Sequence, residues 1–316
     1  MITLLYGGSR TAQFLEGLLR IIEQENFSII ANTLNSTEVF GLEVHPNLEY
    51  LLFLLAGKLD IRYWKTIQGD TYSFMNSLSY LEENEENLWF RFGDTLIAQV
   101  VFRHHLMSQG KSFSEAIEII AQKLGIKAQI IPLTDDKATF KVVTDKGALA
   151  YLEYRNKANQ GLIKEVKKIE FNGINKAKVS PKVSDALSRC DTIIIGPSSP
   201  PIYIEPMLAF NEIKHALETA SCNVIAISPA VGDEPMEEPI KRIIEEALGY
   251  GTSLIEIVER YPGLIDTLII DKSDEKYKVQ LEEMGMEVIV TTINLGDYEN
   301  RTKLAELVSK LLLPTL

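Results

Sequence analysis

Seven short apolar runs rich in Ile, Val and Leu recur along this sequence, and segments with a helical period of apolar residues separate most of them. The runs read ITLLYG, FSIIANT, KAQIIPLT, TIIIGP, NVIAISP, DTLIID and MEVIVTT. Runs without polar alternation are typical of parallel strands that helices cover on both faces. The pattern therefore predicts an α/β fold with a doubly wound, mostly parallel, Rossmann-like sheet.

The predicted helices fit this sheet because most of them lie between two of the runs. They read TAQFLEGLLRIIEQE, NLEYLLFLLAGK, TLIAQVVFRHHLMSQG, SFSEAIEIIAQKLG, PKVSDALSRC and EEPIKRIIEEALG. In SFSEAIEIIAQKLG, Ser112 and Glu115 have the spacing of a capping box, and Gly125 follows the last turn as a C-cap would. This helix therefore carries both a start and a stop signal.

The middle of the chain follows a different pattern. Between about residues 137 and 171, apolar and polar residues alternate, which indicates antiparallel strands. We therefore expect residues 1–130 and 180–316 to form one doubly wound α/β core, and residues 131–179 to form a smaller inserted or edge subdomain of antiparallel or α+β type.

Charge and composition argue against several classes of protein. The chain has 44 acidic and 32 basic residues and a net charge of −12, which a general nucleic-acid binder would not have. The opening MITLLYGGSR predicts a strand and a turn rather than a secretory signal, and no apolar run is long enough to span a membrane. We therefore expect a cytoplasmic protein with no membrane partner.

Cysteine and histidine usage predicts neither a disulfide nor a zinc site. The two cysteines, Cys190 and Cys222, each precede a strand-like run, and we expect both to be buried, reduced thiols. The four histidines lack the spacing of metal ligands.

Candidate binding residues follow the apolar runs, because ligands of doubly wound sheets bind beyond the carboxyl ends of the strands. One of these candidate loops, which follows the run NVIAISP, extends to Asp233. The residues predicted to bind substrate or nucleotide are Gly7, Gly8, Ser9, Arg10, Asn32, Thr33, Asn35, Thr134, Gly196, Pro197, Ser198, Ser199, Pro200, Ser228 and Gly232. We expect glycine- and serine-bearing turns from both halves of the chain to meet in one cleft that holds a diphosphate.

Two of these turns allow a second interpretation. Gly7 and Gly8 stand between a strand and a helix, where glycine lets an anion approach the backbone and the helix presents its N–H groups. A plain tight turn explains these glycines equally well, and the spacing is neither G-x-G-x-x-G nor a P-loop. GPSSPP is stiffened by proline and offers two hydroxyls, yet a structural corner between strand and helix has the same composition.

Three aspartates are candidate catalytic residues. Asp135 and Asp136 follow KAQIIPLT and can hold Mg²⁺ or accept hydrogen bonds from a ligand, although Asp-Asp is also common in ordinary turns. Asp94 stands at the start of a long predicted helix, where a helix cap is the alternative role.

In their order along nearly the whole chain, several short stretches resemble the 2-phospho-L-lactate transferase family of coenzyme F-420 biosynthesis. These stretches include GLEVHPNLEYLLFLLAG, WFRFGD, MSQGKSFSEAI, PLTDD, GPSSPPIYIEPML, SPAVG and LEEMGMEV. A neighbouring branch, the gluconeogenesis-factor-like proteins, shares the fold and binds nucleotide-sugar-like ligands without the transferase role.

The resemblance implies that the α/β core binds a nucleotide, and it also implies a reaction and its partners. In the family, a ribityl hydroxyl of a 5-deazaflavin precursor attacks the lactyl-bearing phosphorus of a lactyl-diphospho-guanosine, GMP leaves, and Mg²⁺ assists. The expected partners are therefore a nucleotide and a deazaflavin-type substrate, and the expected assembly is a homodimer. Phosphoryl transfer of this kind depends mostly on alignment and charge neutralisation.

The chain departs from the family where an acidic pair is expected. Family members typically read Asn-Thr-Gly-Asp-Asp, whereas this chain reads NTLNS at residues 32–36, so Asn35 and Ser36 replace both acids. Glu49 retains one acid of a second family pair and is the candidate metal ligand, while Arg10 can neutralise a phosphate directly.

Two hypotheses follow. The first is a divergent transferase, and the second is a non-catalytic paralogue that binds a nucleotide or nucleotide-sugar as a sensor or regulator. A nicotinamide enzyme is a third, weaker alternative, because the first turn lacks the three-glycine spacing.

Overall fold

The computed structural model of the protein describes residues 1–84, 88–232, 234–235, 244, 247–249 and 253–312. Most of the predicted helix EEPIKRIIEEALG, and Asp233 of the loop after NVIAISP, lie outside the described residues. Contacts divide the chain into two compact units. Unit 1 comprises Met1–Asn32, Ala128–Leu133 and Lys178–Leu316, and unit 2 comprises Thr33–Lys127 and Thr134–Ala177.

The described strands, in chain order, are Ile2–Tyr6 (β1), Phe27–Ala31 (β2), Thr37–Val39 (β3), Leu42–Val44 (β4), Gln129–Pro132 (β5), Thr139–Thr144 (β6), Gly147–Ala150 (β7), Val166–Asn172 (β8), Thr192–Ile195 (β9), Asn223–Ile227 (β10), Ala230–Val231 (β11), Glu234–Pro235 (β12), Thr267–Asp271 (β13) and Glu287–Thr291 (β14). The described α-helices are Gly8–Leu18 (α1), Pro46–Leu55 (α2), Ser73–Leu78 (α3), Asp94–Ser108 (α4), Phe113–Lys123 (α5), Tyr151–Asn159 (α6), Pro181–Ser188 (α7), Glu205–Leu208 (α8), Asn211–Glu218 (α9), Leu254–Val258 (α10), Lys278–Glu283 (α11) and Tyr298–Leu312 (α12). Pro200–Ile204 forms a π-helical turn, and Gln24–Asn26 and Lys272–Tyr277 form 3₁₀ helices.

Unit 1 contains a seven-stranded parallel sheet in the order β14-β13-β10-β9-β1-β2-β5. Each of the seven predicted runs supplies one of its strands, so the predicted doubly wound α/β fold is confirmed. The strand order reverses between β1 and β9, which pair from Ile2 with Thr192 to Leu5 with Ile195. A ligand of such a sheet is therefore expected beyond the carboxyl ends of β1 and β9.

Burial explains why the strand runs need no polar alternation. Every residue of β1, β2 and β13 is buried, so no face of these strands contacts water. Helix α1 buries Phe14, Leu15 and Leu18 completely. At Gly17 it contacts α12 so closely that a Cβ atom would lie 2.7 Å from the carbonyl oxygen of Arg301.

Unit 2 contains helices α2 to α6, the hairpin β3–β4 and a three-stranded antiparallel sheet in the order β7-β6-β8. The antiparallel strands predicted between residues 137 and 171 are confirmed. Helix α6, which lies between β7 and β8, is a correction to that prediction. Tyr151 and Tyr154, three residues apart, pack with ring centroids 6.4 Å apart, and Tyr151 lies 6.3 Å from Phe140 of β6. This spacing was the helical signal.

Helix α5 has its predicted start and stop. The backbone N–H of Glu115 donates to Ser112 Oγ at 3.1 Å, and the N–H of Ser112 donates to Glu115 Oε2 at 2.8 Å. Gly125, just past the helix, has a φ of +74°, the left-handed conformation of a C-terminal glycine cap.

The boundaries of the two units differ from the predicted ones. Residues 33–127, expected in the α/β core, group with residues 134–177 in unit 2. The reason is that the chain leaves unit 1 directly after Asn32, forms α2 to α5, and returns only at β5. In the described part of the chain, no helix combines the length and the apolar character needed to cross a bilayer.

Candidate functional site

The turns after β1 and β9 meet at the point where the strand order reverses. Ser198 Oγ donates a hydrogen bond to the carbonyl oxygen of Gly7. Because that bond uses the hydroxyl hydrogen of Ser198, Thr11 Oγ1 of helix α1 is the donor in the 2.7 Å contact with Ser198 Oγ. The turns from the two halves of the chain therefore meet, and that they form a cleft for a diphosphate stays a prediction.

Tyr203, which the sequence analysis did not single out, lies against both glycines of the first turn. A Cβ atom on Gly7 would lie 2.7 Å from Tyr203 Cβ, and one on Gly8 would lie 2.7 Å from Tyr203 Cε2. Gly8 also has a φ of +75°, which favours glycine. Packing of the tyrosine ring therefore requires glycine at both positions. The signal for this residue was its place in the stretch GPSSPPIYIEPML.

The π-helical turn holds Tyr203 through backbone contacts. Its N–H donates to the carbonyl oxygen of Ser199 at 3.0 Å, and its own carbonyl accepts a hydrogen bond from Asn32 Nδ2 at 2.9 Å. Asn32, predicted to bind a ligand, is buried and uses its side-chain amide to join the end of β2 to this turn.

Close packing also explains Gly196 and the serines of its turn. A Cβ atom on Gly196 would lie 2.4 Å from Thr11 Oγ1, so helix α1 can approach β9 only because residue 196 is glycine. The side chains of Ser198 and Ser199 are almost fully buried. The hydroxyl of Ser198 thus joins two turns inside the protein.

Helix α1 begins directly after the turn that follows β1. Within the described residues no side chain caps this helix, and its first turn contains no acid. Ser9 and Arg10 are only half-buried there. Burial lowers the pKa of the Arg10 guanidinium, whose Nη1 lies 3.4 Å from Gln13 Oε1. A helix start beside a partly desolvated cation is chemically suited to bind phosphate.

Side chains form hydrogen bonds with backbone groups in the turn after β10. Ser228 Oγ donates to the carbonyl oxygen of Ala230 at 2.9 Å and accepts from its N–H at 3.1 Å. Gly232 has a φ of +63°, and its N–H donates to Asp274 Oδ2 at 2.9 Å. These contacts give Ser228 and Gly232 structural roles that the sequence analysis did not predict.

An apolar pocket with a cavity volume of about 40 Å³ lies beside the turn after β9. Gly196, Pro200 and Ile227 line it from the strand ends, and Val258 and Tyr261 line it from α10 and the segment after it. This pocket could not be predicted from the sequence, because its walls come from three separate segments of the chain.

Residues 33–36 of the NTLNS stretch belong to unit 2 and are buried. The exposed fractions of Thr33, Asn35 and Ser36 are 3%, 4% and 4%. His45 Nδ1 lies 3.0 Å from the carbonyl oxygen of Thr33. The contact of Glu43 with His45 lowers the pKa of the Glu43 carboxyl to about 2, with a smaller contribution from the hydroxyl of Ser36.

Glu49, the candidate metal ligand, forms a buried ion pair. Arg103 Nη2 lies 2.9 Å from Glu49 Oε1 and also donates to the carbonyl oxygen of Glu43. The two side chains are 2% and 1% exposed. Among the described residues, Glu49 Oε2 has no hydrogen-bond partner.

The residues of unit 2 are a poor fit for Mg²⁺, which usually keeps one or two carboxylate ligands. The charge of Glu49 is already balanced by Arg103, and no group of three His, Cys, Asp or Glu residues in the described part of the chain could hold a metal ion. The metal role of Glu49 stays a prediction.

Asp94 is the first residue of α4, but its carboxylate caps α3. Its carboxylate accepts hydrogen bonds from Thr71 Oγ1 and from the N–H groups of Ser73 and Phe74 at the start of α3. The Thr71 hydroxyl, followed by these N–H groups, lowers the pKa of Asp94. Asp70 in turn accepts from the N–H of Thr95 in the first turn of α4 at 2.9 Å.

Asp135 and Asp136 are exposed, and the carboxylate of Asp135 accepts a hydrogen bond at the start of α5. Asp135 Oδ1 accepts from the N–H of Ser114 in the first turn of α5 at 2.7 Å. Thr134, which is buried, accepts from the N–H of Asp136 through Oγ1 at 3.0 Å. The catalytic roles of Asp94, Asp135 and Asp136 stay predictions, and the described contacts of Asp94 and Asp135 are those of helix caps.

Comparison with known proteins supports the resemblance over nearly the whole chain. The model of a family described as 2-phospho-L-lactate transferase CofD matches residues 2–302. A 2-phospho-L-lactate transferase from Methanopyrus kandleri is 34% identical over 308 residues, which cover 96% of this chain and 95% of that protein. The protein of that name from Methanocaldococcus jannaschii is 30% identical over 313 residues, which cover 97% and 96%.

The fold has a match among solved structures as well. A crystal structure of a UPF0052 family protein from Bacillus halodurans has a TM-score of 0.63 at 14% identity and covers 98% of both chains. Similarity at this identity establishes a shared fold alone. The family match confirms the expectation of a transferase-type enzyme, and the chain belongs to the 2-phospho-L-lactate transferase (CofD) family.

Proposed function

We propose that the protein transfers a 2-phospholactyl-type group from a lactyl-diphospho-guanosine to the ribityl hydroxyl of a 5-deazaflavin precursor, in coenzyme F-420 biosynthesis. The hydroxyl oxygen forms a bond to the lactyl-bearing phosphorus, and the bond from that phosphorus to the bridging oxygen breaks. GMP leaves with the bonding electron pair, and the hydroxyl proton passes to solvent. Membership of the family and the names of its relatives support this reaction.

The start of helix α1 is the observation that carries the proposal. The helix begins at the strand-order reversal, and Ser9 and Arg10 are its half-buried first-turn residues. Because Tyr203 covers Gly7 and Gly8, the diphosphate is proposed to contact the N–H groups and side chains of Ser9 and Arg10. An anion there would offset the desolvation of the guanidinium that lowers its pKa.

A second candidate function is nucleotide or nucleotide-sugar binding without turnover. The contacts in unit 2 favour it, because Asp94 and Asp135 bind helix N–H groups and Glu49 is paired with Arg103. Asn35 and Ser36 add no negative charge to this unit. On this hypothesis the protein retains the diphosphate contacts of α1 and acts as a sensor or regulator.

Measuring GMP release separates the two functions. Purified protein is incubated with lactyl-diphospho-guanosine and the deazaflavin precursor, with and without Mg²⁺, and GMP and the joined product are quantified. GDP binding is measured in parallel by calorimetry. Release of GMP that depends on the acceptor supports the transferase. GDP binding without release under either condition supports the binding protein, and absence of GDP binding contradicts both.

Arg10→Gln tests the proposed diphosphate contact. We expect it to weaken GDP binding by about tenfold or more, because a charge-assisted hydrogen bond is lost. Arg189→Gln is the matched control, since Arg189 is 76% exposed and pairs only with Asp185 among the described residues. Equal GDP affinity of the two variants would contradict a role for Arg10.

Restoring the missing acids requires a choice between the two positions. Ser36 contacts the carboxyl of Glu43, so Ser36→Asp would place two carboxylates together and destabilise unit 2. Asn35→Asp is therefore the first variant to assay. A gain in GMP release would show that loss of this acid limits turnover, and unchanged release would show that it does not.

A further inference from the structure

Cys190 and Cys222, far apart in the chain, have neighbouring thiols in unit 1. Their Sγ atoms lie 3.3 Å apart. Cys190 precedes β9 and Cys222 precedes β10, and the pairing of Thr192 with Asn223 brings the starts of these adjacent parallel strands to the same level. Strand register therefore sets the contact between the two sulfurs.

A cleft gives small molecules access to this pair. Its cavity volume is about 330 Å³, and Ser188, Glu212 and His215 are among its lining residues. Both cysteines are free thiols that are half-buried, which corrects the expectation that they are buried. In the described part of the chain no third metal-binding side chain groups with them, so thiol chemistry is favoured over metal binding.

We propose that Cys190 and Cys222 are a reversible disulfide site, oxidised by a low-molecular-weight disulfide that enters this cleft. Cys222 loses its proton and attacks one sulfur of the oxidant, which forms a mixed disulfide and releases one thiolate. Cys190 then loses its proton and attacks Cys222 Sγ, which forms the protein disulfide and releases the second thiolate. The protein loses two hydrogens, and the oxidant is reduced to two thiols.

The surroundings of Cys190 set the order of these steps. Burial, and then the hydrogen bond with Cys222, raise the pKa of the Cys190 thiol to about 12. The sulfur also lies 3.2 Å from the carbonyl oxygen of Leu187, which accepts its hydrogen. Cys190 therefore stays protonated near neutral pH and acts as the second, resolving thiol.

The disulfide would join the amino ends of β9 and β10, whereas the turns at residues 196–200 and 228–232 follow their carboxyl ends. Oxidation is therefore expected to raise the thermal midpoint by roughly 5 °C or more, because it constrains the unfolded chain. GDP binding, which the proposed function assigns to the carboxyl ends, is expected to change by less than about twofold.

Oxidised and reduced glutathione at defined ratios provide the test. We expect the folded wild-type protein to lose two hydrogens by mass, and a non-reducing digest to link the peptides that contain Cys190 and Cys222. Dithiothreitol should reverse both results. A digest without this link at every ratio, or with the link only after denaturation, would overturn the proposal.

Single variants test the order of attack and serve as controls for each other. Cys190→Ser should accumulate a glutathione adduct on Cys222, because the resolving thiol is missing. Cys222→Ser should accumulate at least about fivefold less adduct on Cys190, because this thiol is protonated. Equal adduct formation would contradict the assigned order. Cys190→Ala and Cys222→Ala repeat the comparison if circular dichroism shows that a serine variant is misfolded.

Discussion

In unit 1 the turns after β1 and β9 meet and bond to each other, whereas in unit 2 the predicted catalytic aspartates serve separate helix starts. Ser198 connects the turns of unit 1 through Gly7 and Thr11. In unit 2, Asp94 caps α3 and Asp135 binds the first turn of α5.

The difference has a physical cause. Parallel strands that neighbour a topological switch end at one edge, so their turns converge whatever their composition. Unit 2 has several helix starts, and each leaves backbone N–H groups that need an acceptor. A carboxylate near such a helix start therefore tends to cap the helix. For this reason, neighbouring acids in the sequence are a weaker indication of a shared site than glycine turns that follow parallel strands.

The largest effect is expected from replacing Arg103, which tests whether this arginine neutralises the buried carboxylate of Glu49. Arg103→Met should lower the free energy of unfolding by about 3–5 kcal/mol, because Glu49 would remain buried without its cation. Urea unfolding measures the change. The exposed Arg189→Met is the control and should cost less than about 1 kcal/mol.

The double variant Arg103→Met with Glu49→Leu should recover most of that loss, since both charges are then removed. If the double variant is no more stable than Arg103→Met, the unpaired carboxylate is not the cause.

A second variant tests the close packing of unit 1. Gly196→Ala should cost about 1–3 kcal/mol, because the added methyl would overlap Thr11 Oγ1 at 2.4 Å and Thr11 Cγ2 at 2.5 Å. Urea unfolding and GDP calorimetry are the measurements. Adding Thr11→Ala removes both atoms and should restore part of the stability. A stability loss equal to the sum of the two single variants would argue against this contact.

Substitutions of Asp94 distinguish a helix-capping role from a catalytic role. Asp94→Ala should lower the thermal midpoint because α3 loses its cap, while Asp94→Asn keeps an acceptor oxygen and should lower it less. If Asp94 only caps α3, GMP release by the Asn variant should stay within about tenfold of wild type. A loss of about 10²-fold or more in a stably folded Asn variant would show catalysis and break the comparison between the units.

The smallest expected effect concerns acid stability. The pKa of Glu43 lies at about 2 in the folded protein, below its ordinary value of 4.5, because of its contact with His45. Its contribution to stability is thus complete above pH 4.5 and is lost as the pH falls towards 2.

Thermal unfolding across this pH window measures the contribution. The midpoint of wild type should fall more steeply than that of Glu43→Gln, and the difference should vanish at the acid end. The exposed Glu25→Gln is the control and should follow wild type. Parallel curves for Glu43→Gln and wild type would show that Glu43 is not stabilised in this way.

Much of unit 1 could be predicted because its signals are local. An apolar run marks each parallel strand, and the capping residues of α5 in unit 2 are similarly local, since Ser112 and Glu115 lie within one turn. The partners of Glu49 and Cys190 could not be predicted, because Arg103 and Cys222 are 54 and 32 residues away. The cysteines did leave one signal: each precedes a predicted strand, and those two strands are neighbours.

The sequence by itself determined the seven strands, the parallel class of the sheet and the turns at its carboxyl edge, because apolar periodicity and glycine act over a few residues. Only the tertiary structure decided how individual polar groups are used. Tyr203 lies on the glycines, Ser198 joins two turns, and Arg103 balances Glu49. Each of these contacts joins residues distant in the chain, and a buried polar group takes the partner that the fold brings near it.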